Sequence, residues 1–340
     1  MSNYNIQFEK FCSTLKLGAV ISEPSSICGG LLHKMYAVKT TRGNYAIKVL
    51  NPQIMIRPTA MQNFINSEKI ANYLGAKIPA LSALKINGDA IHCVDGQYYI
   101  VFNWVDGVSL KANEINLEHC RLIGSILADI HSTDYSTLGL RNELLFNDQM
   151  IDWNYYLQKG KSDNSLWIND LLKTIDNLYI WNDQAKEASK YLASSLVLSH
   201  RDLDSKNVLW NDGRPIIIDW ECAGYINPMQ DLIEVAVYWS ENSNGKIEKN
   251  KFSAFLEGYK NNNGRLCDER KAALDTGYLS KLEWLEYSLK RSLRIECSDE
   301  EEQKLGTNQV SEAIKSIQNY ATMIPLLEEW LAEDEVFYLY

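Results

Sequence analysis

Leu198–Glu221 reads LSHRDLDSKNVLWNDGRPIIIDWE and places two acids and an asparagine at a defined spacing. Asp202 closes an H-R-D tripeptide, Asn207 follows five positions later, and Asp219 comes directly after an apolar run. The residues from Asn207 to position 210 predict a short strand, N-D-G predicts a tight turn, and P-I-I-I predicts the returning strand. A hairpin of this kind would bring Asp202 and Asp219 to the same edge of the strand pair.

The H-R-D-x-x-x-x-N spacing is typical of a phosphoryl-transfer loop. In such a loop an aspartate accepts the proton of the attacking hydroxyl, and an asparagine and a second aspartate hold the Mg²⁺ that bridges the nucleotide phosphates. Asp202 is then the predicted base, and Asn207 and Asp219 are the predicted metal ligands. His, Asp and Asn also serve as caps and turn formers, so coincidence or a fold that has lost its chemistry is the alternative.

The segments SHRDLDSKNVLW, IIDWE and NPMQDL resemble the aminoglycoside phosphotransferase and choline kinase superfamily, whose kinase-like members phosphorylate small molecules. The resemblance implies a protein-kinase-like, bilobal α+β fold. Residues 1–104 would form a β-rich nucleotide-binding lobe, and residues 105–340 a mostly helical catalytic lobe. It also implies ATP or GTP and Mg²⁺ as cofactors, and Asp231 as a buried acid that supports the loop.

Three positions depart from the usual pattern of that family. Its loop commonly reads H-G-D-hydrophobic-H, where this chain has Arg201 and Asp204, and its usual D-P is Asn227-Pro228 here. These departures bear on the substrate more than on phosphoryl transfer. Ser/Thr protein kinases match less well, because D-F-G and A-P-E segments are absent from the sequence.

The N-terminal part predicts β-strands. Residues 31–38 and 44–50 are apolar, β-prone runs joined by a hairpin turn that ends at Gly43. Gly29 and Gly30 precede the first strand, where a turn that covers a nucleotide needs backbone free to approach the phosphates. An ordinary turn is the alternative interpretation for the two glycines.

The tetrapeptide YAIK, which ends at Lys48, resembles the V-A-I-K strand of kinases. Lys48 would then contact the α- and β-phosphates; a solvated strand lysine is the alternative. Apolar residues at helical spacing predict a helix over residues 61–74. Glu68 lies on that helix, where a kinase-like fold places the carboxylate that pairs with the strand lysine. Without that context, Glu68 would indicate only an exposed face.

Residues 84–87, 90–94 and 98–103 predict further short strands. Phe102 and Trp104 follow in the region where the family runs the hinge between its lobes, and the hinge backbone binds the purine edge. Both residues are therefore candidate nucleotide contacts through their backbone. For their side chains we expect core packing.

From residue 117 onward, apolar residues recur at three- and four-residue spacing and predict helices. The first of these ends near His131, which we expect to be structural. An aromatic segment opens at Asp152, and Asp152 and Glu221 are candidate acceptor contacts, although aromatic stripes usually pack in a core. The later helices are predicted over residues 229–239, 251–259, 276–297 and 310–332.

The composition is that of an ordinary globular chain of 340 residues, 46% hydrophobic and 23% charged, for which about two domains are expected. No apolar run reaches the roughly 18 residues of a membrane span, and the first residues lack a basic and apolar targeting pattern. The seven cysteines are scattered and are expected to be reduced. These features predict a cytoplasmic protein without a membrane partner.

Charge is distributed unevenly along the sequence. Residues 1–103 contain ten Lys or Arg and five Asp or Glu, a net charge of +5, so with a total of −10 the remainder carries −15. A basic nucleotide lobe and an acidic acceptor lobe suit ATP and a small cationic molecule that offers a hydroxyl, and they disfavour nucleic acid. Solvated acidic helices near the C-terminus are the alternative explanation. A nucleotide-binding pseudokinase and a protein kinase remain the rival functions.

Overall fold

The computed structural model describes residues 4–27, 32–140 and 150–336, and the chain divides into two compact units. The first unit contains Met1–Leu110 and Ser205–Gly224, and the second contains Lys111–Asp204 and Tyr225–Tyr340. The hairpin that follows the H-R-D loop therefore belongs to the N-terminal unit. The lobe boundary expected near residue 104 stays a prediction.

The first unit is built on a five-stranded antiparallel sheet with the order β1-β2-β3-β5-β4. A second sheet has three strands in the order β6-β8-β9. The described residues of this unit also form three α-helices. The bounds are β1 Ser25–Ile27, β2 Lys34–Thr40, β3 Gly43–Val49, β4 Ile91–Val94, β5 Gln97–Asn103, β6 Val108–Ser109, β8 Val208–Asn211, β9 Arg214–Ile217, α1 Phe8–Thr14, α2 Pro52–Met55 and α3 Ala60–Leu74.

The central strand β3 separates two apolar layers. Ile47 and Val49 belong to one buried cluster, whereas Leu50 packs with Phe64 of α3 in another. Side chains alternate between the faces of a strand, so Lys48 lies on the Leu50 side, the face that α3 covers. The predicted β2–β3 hairpin is confirmed by its register, which pairs the residues flanking a two-residue turn.

The β8–β9 hairpin is also confirmed, with Asn211 paired to Arg214. Its two turn residues, Asp212 and Gly213, have φ of 48° and 74°, the combination that a two-residue turn between twisted strands requires. Ile217 of β9 exchanges backbone hydrogen bonds with the segment after α3: its N–H donates to the carbonyl of residue 79 at 2.7 Å, and its carbonyl accepts from the N–H of residue 81 at 2.8 Å. The hairpin is thereby fixed to the rest of the first unit.

Two predicted elements were wrong. Residues 84–87 form no strand; Ile86 and Asp89 make an isolated bridge around a tight turn in which Asn87 and the following glycine have positive φ. The helix predicted over residues 276–297 is a single helix that covers only Tyr278–Ser292. It ends early because Arg294 adopts the left-handed conformation, with φ 55°, and the N–H of Ile295 then donates back to the carbonyl of Lys290 at 2.8 Å.

The second unit is mostly helical, as predicted. Helices α4 (Leu117–Ser132) and α8 (Lys249–Asn261) pack at backbone distance, because Gly124 and Gly258 have no Cβ. A Cβ on Gly124 would lie 2.2 Å, and one on Gly258 2.0 Å, from a carbonyl oxygen of the opposite helix. No helix within the described ranges is long and apolar enough to cross a membrane. The bounds are α4 Leu117–Ser132, α5 Trp153–Ser162, α6 Ile168–Leu192, β7 Val197–Ser199, β10 Gly224–Ile226, α7 Pro228–Ser240, α8 Lys249–Asn261, α9 Arg270–Thr276, α10 Tyr278–Ser292 and α11 Glu300–Val336.

Candidate active site

In the first unit, Lys48 forms the centre of a buried charge cluster. Its ammonium lies 2.5 Å from Asp219 Oδ1 and 2.6 Å from Glu221 Oε2, and its side chain is 7% exposed. Burial alone would lower the pKa of Lys48, but the charges and hydrogen bonds of the two carboxylates outweigh it and raise the pKa. Lys48 is therefore a permanent cation held by two acids.

The segment after β9 brings both acids to Lys48. Asp219 adopts the left-handed conformation, with φ 61° and ψ 58°, which turns the chain sharply after the strand. The next residue, Trp220, is buried, and its indole N–H donates to the Ile217 carbonyl at 3.2 Å. Glu221 follows in a short 3₁₀ helix, Trp220–Cys222, against which α3 packs. A non-glycine residue in this conformation carries strain, and such residues cluster at functional sites.

Asn207 lies opposite this turn on the same hairpin. Its carbonyl accepts a hydrogen bond from the N–H of Ile218 at 2.9 Å, and the residue is 4% exposed. The hairpin thus holds Asn207 beside the backbone that leads into Asp219. Amide and carboxylate oxygens are ligand types that Mg²⁺ accepts when phosphate oxygens complete its coordination. The described residues contain no cluster of three or more His, Cys, Asp or Glu that could hold a metal alone.

Within the part of the chain that the structure describes, the predicted ion pair between Lys48 and Glu68 is not formed, and the two side chains have other partners. Glu68 is buried, and its carboxylate accepts from the backbone N–H of Ala83 at 2.7 Å. Burial raises the pKa of Glu68, and the hydrogen bond from Ala83 only partly offsets that effect. Lys48 pairs instead with the two acids that follow β9.

A histidine that the sequence analysis did not single out adjoins this cluster. His33 Nε2 lies 3.4 Å from Glu221 Oε2, while His33 Nδ1 accepts from the backbone N–H of Asn51 at 2.8 Å. Burial, followed by the charge of Lys48, holds the pKa of His33 well below its usual value. His33 is therefore neutral, and its contact with Glu221 is not an ion pair. A single histidine three residues after the predicted glycine turn was the available signal.

In the second unit, α7 anchors the H-R-D loop on both sides of Asp202. Before it, the hydroxyl of Ser199 donates to Asp231 at 2.5 Å, and after it, the indole of Trp239 donates to the Leu203 carbonyl at 2.8 Å. Ser199 and Leu203 are fully buried. The loop backbone around Asp202 is thus fixed from one helix.

Asp231 connects this loop to a second helix. It is 1% exposed, and its Oδ2 also lies 2.9 Å from His131 Nε2, whose other ring nitrogen contacts the Tyr259 hydroxyl at 2.9 Å. The structural position of His131 agrees with its expected role. Asn227 begins α7 and accepts from two backbone N–H groups in its first turn, which is the capping role that an aspartate in the usual D-P would also perform.

The second unit also contains acids close to the loop that sequence analysis missed. Glu234 on α7 accepts a hydrogen bond from the hydroxyl of Tyr238 at 2.8 Å, and the pKa of that tyrosine is raised by burial and by the charges of Glu234, Asp202 and Asp204. Glu283 on α10 has a pKa raised by burial and by neighbouring glutamates, against the opposing charge of Arg201. Glu234 lies one helical turn after Asp231, which is a usable signal, whereas nothing in the sequence distinguishes Glu283.

The remaining predicted site residues have varied positions. Phe102 is buried in the apolar layer under α3, and Trp104 is 41% exposed, with its backbone N–H bonded to Asn44 and its indole to Asp106. Asp152 caps α5 by accepting from the N–H of residue 155 at 3.0 Å. Their binding roles stay predictions. The candidate phosphate-covering residues Gly29 and Gly30 lie outside the described residues.

Two comparisons bear on the family. The model of the phosphotransferase enzyme family matches residues 25–266. No curated protein sequence matches the chain. The matched range contains Lys48, both acids of its cluster and the whole H-R-D loop, so the resemblance read from the motifs is confirmed.

Solved structures of small-molecule kinases are similar in fold. A spectinomycin phosphotransferase in complex with ADP and spectinomycin has a TM-score of 0.64 at 16% identity, covering 93% of this chain and 100% of that one. An amicoumacin kinase in complex with AMP-PNP and Ca²⁺ has a TM-score of 0.62 at 12% identity, with 92% and 94% covered. A choline kinase from Streptococcus pneumoniae has a TM-score of 0.58 at 19% identity, with 92% and 98% covered. The predicted protein-kinase-like α+β fold is therefore confirmed.

Proposed function

We propose, for a chain that belongs to the phosphotransferase enzyme family, that it transfers the γ-phosphoryl group of ATP or GTP to a hydroxyl of a small cationic molecule. Enzymes of this family phosphorylate hydroxyl groups of small molecules, and the chain is such a phosphotransferase. We propose the nucleotide, the positive charge of the acceptor and the roles of the individual residues. The cytoplasmic location stays a prediction of the sequence.

The observation that carries the proposal is the buried pairing of Lys48 with Asp219 and Glu221. A permanent cation enclosed by protein is costly unless it is paired. A buried lysine at the end of this strand is explained if Lys48 contacts the nucleotide phosphates. The phosphates would then replace the two carboxylates as its partners or bind beside them. A regulator without catalysis would not need to keep Asp202 and Asn207 as well.

Asn207 and Asp219 are the residues that would hold the divalent cation, because their oxygens lie on one hairpin and suit Mg²⁺. When bound, the cation neutralises charge on the β- and γ-phosphates. Asp202 accepts the proton of the acceptor hydroxyl and orients that hydroxyl, which is the part of the reaction that needs a fixed carboxylate.

Support for a cationic acceptor comes from Glu234 and Glu283 in the second unit. Both lie close enough to the loop residues for their charges to interact. The charges of Glu234 and Asp202 both raise the pKa of Tyr238, and the charge of Arg201 lowers the pKa of Glu283. Neighbouring glutamates contribute to the raised pKa of Glu283, and an ammonium group that binds beside it would relieve this repulsion. Acids near the C-terminus are weaker candidates, since Glu328 and Glu333 pair with lysines of other helices.

The test is nucleotide turnover over a panel of acceptors, comprising choline, ethanolamine, other amino alcohols, aminoglycosides, neutral polyols and a protein. Turnover of amines with an apparent KM that rises with ionic strength supports the cationic acceptor. Turnover of a neutral polyol above every amine, with KM unchanged by salt, removes the cation but keeps the kinase. Nucleotide binding without turnover of any acceptor would favour the pseudokinase, and phosphorylation of the protein alone would favour a protein kinase.

Glu234→Gln and Glu283→Gln give a residue-level version of this test. Each is expected to raise the KM for a cationic acceptor about tenfold, the effect of one lost charge-assisted hydrogen bond, while the KM for nucleotide stays unchanged. The matched control is Glu187→Gln, which removes an exposed acid of the same unit that pairs with the exposed Lys190. Equal effects of all three substitutions would contradict the assignment.

A further inference from the structure

His33 is a neutral side chain that adjoins the Lys48 cluster, and its hydrogen bond with Asn51 defines its tautomer. The imidazole is buried, packs edge-on to Phe64 at 5.4 Å between ring centroids, and accepts from the Asn51 N–H through Nδ1. A neutral imidazole has one N–H, so the proton is on Nε2. That nitrogen faces Glu221 Oε2 at 3.4 Å.

We propose that His33 is a positioning residue whose Nε2–H directs the Glu221 carboxylate onto Lys48, so that Glu221 performs the holding role that a kinase-like fold would give to Glu68. The inference rests on the proposed nucleotide role of Lys48. Glu221 Oε2 receives the Lys48 ammonium at 2.6 Å and faces the imidazole, so one oxygen is fixed from two sides. Glu68 is already satisfied by Ala83.

The chemistry of histidine suits this position. A lysine or arginine at residue 33 would bring a second cation close to Glu221 and compete with Lys48 for the carboxylate. A serine is too short to accept from Asn51 and donate to Glu221 together. A neutral imidazole presents an N–H to the carboxylate without adding charge, and the Asn51 N–H holds the ring in one tautomer, in the manner of a group that orients a neighbouring functional residue.

The first experiment measures the tautomer directly by ¹⁵N NMR of the histidine side chains in the wild-type protein at pH 7. His33, assigned from the spectrum of His33→Gln, is expected to be neutral with the proton on Nε2. Its Nε2 resonance is expected to shift in Glu221→Gln and to stay in place in Glu68→Gln. A proton on Nδ1, a charged ring, or an equal response to both substitutions would overturn the proposal.

The second experiment compares His33→Gln with His33→Asn. The amide nitrogen of glutamine takes the place of Nε2 and can donate to Glu221, whereas the shorter asparagine reaches only the place of Nδ1. We expect His33→Asn to raise the KM for nucleotide about tenfold, as for one lost hydrogen bond to a charged group, without changing the KM for acceptor. His33→Gln is expected to recover most of that loss. Equal defects in the two variants, or a defect in the acceptor KM, would refute the positioning role.

Two controls separate this inference from general damage. His92 is a buried histidine on β4, the far edge strand of the same sheet, and His92→Asn is expected to leave the nucleotide KM unchanged. The double variant His33→Asn with Glu221→Gln is expected to be no worse than Glu221→Gln alone, and additive effects would contradict the coupling. If the wild type itself bound no nucleotide, the proposed function would fail, while the NMR shifts would still decide the contact.

Discussion

The partner of Lys48 can be identified by comparing Glu221→Gln with Glu68→Gln. The Lys48 and Glu221 side chains are 7% and 14% exposed, so their contact is poorly screened by water. Removing one partner of a buried ion pair costs about 3–5 kcal/mol, and a hydrogen bond to a charged group contributes about 1.5–3 kcal/mol. Asp219 stays as a second partner, so we expect Glu221→Gln to lower the free energy of unfolding by about 2 kcal/mol at pH 7.

Glu68→Gln provides the matched control on the same side of the sheet. The glutamine carbonyl still accepts from the Ala83 N–H, and the charge that is removed is one that burial disfavours. We therefore expect a change of less than about 1 kcal/mol, in either direction. The two substitutions are chemically identical, so we expect their difference in stability to arise from which acid holds Lys48.

Urea denaturation followed by circular dichroism and by tryptophan fluorescence measures both values, and coincident transitions justify a two-state analysis. The midpoint should fall for Glu221→Gln with an unchanged dependence on urea, which indicates a loss of stability rather than a change in exposed surface. Equal losses in the two variants, or a larger loss for Glu68→Gln, would show that Glu68 holds the lysine in solution and would refute the assignment made from the structure.

Other substitutions test the remaining parts of the site. Asp202→Ala is expected to lower the turnover number about 100- to 10,000-fold with little change in nucleotide affinity, measured by steady-state kinetics and calorimetry. Asp219→Asn is expected to raise the Mg²⁺ concentration needed for half-maximal activity, and an unchanged Mg²⁺ titration would remove it from the metal site. Asp231→Asn should cost about 3 kcal/mol in urea denaturation, because the group is buried between Ser199 and His131. Folding raises the pKa of Glu68, so ionisation of this residue destabilises the wild-type protein above about pH 4.3, the pKa of an unfolded glutamate. We therefore expect the stability of Glu68→Gln, relative to wild type, to increase as the pH rises above that value. A stability difference that is independent of pH would contradict the burial of that charge.

The parts of the fold that the sequence predicted correctly are set by local chemistry. The β8–β9 hairpin follows from an N-D-G turn between β-prone runs, and its register agrees. Apolar spacing located α3 and α4, each of which buries one face, and a continuous apolar run located α7, which is buried on most sides. The early end of α10 was not predictable in this way, because it depends on the left-handed conformation of Arg294, which apolar spacing does not encode.

The same distinction applies to the site. Motif spacing identified Asp202, Asn207 and Asp219 as candidates, but the partner of Lys48 depends on acids 171 and 173 positions away in the sequence. A glutamate on the following helix was the reasonable expectation, and burial against Ala83 excluded it. Side-chain pairing across such separations is decided by packing, which hydrophobic periodicity does not encode.

Arg201 affects both the backbone strain of the loop and the charge around Glu283. It has φ 63°, a conformation that costs a non-glycine residue roughly 1–2 kcal/mol and that a glycine adopts freely, so the usual H-G-D of the family avoids a cost that this chain bears. The guanidinium of Arg201 is also the cation that opposes the raised pKa of Glu283. Glycine at this position would remove both the backbone strain and that opposing charge, so Arg201 affects the loop conformation and the charge around Glu283 together.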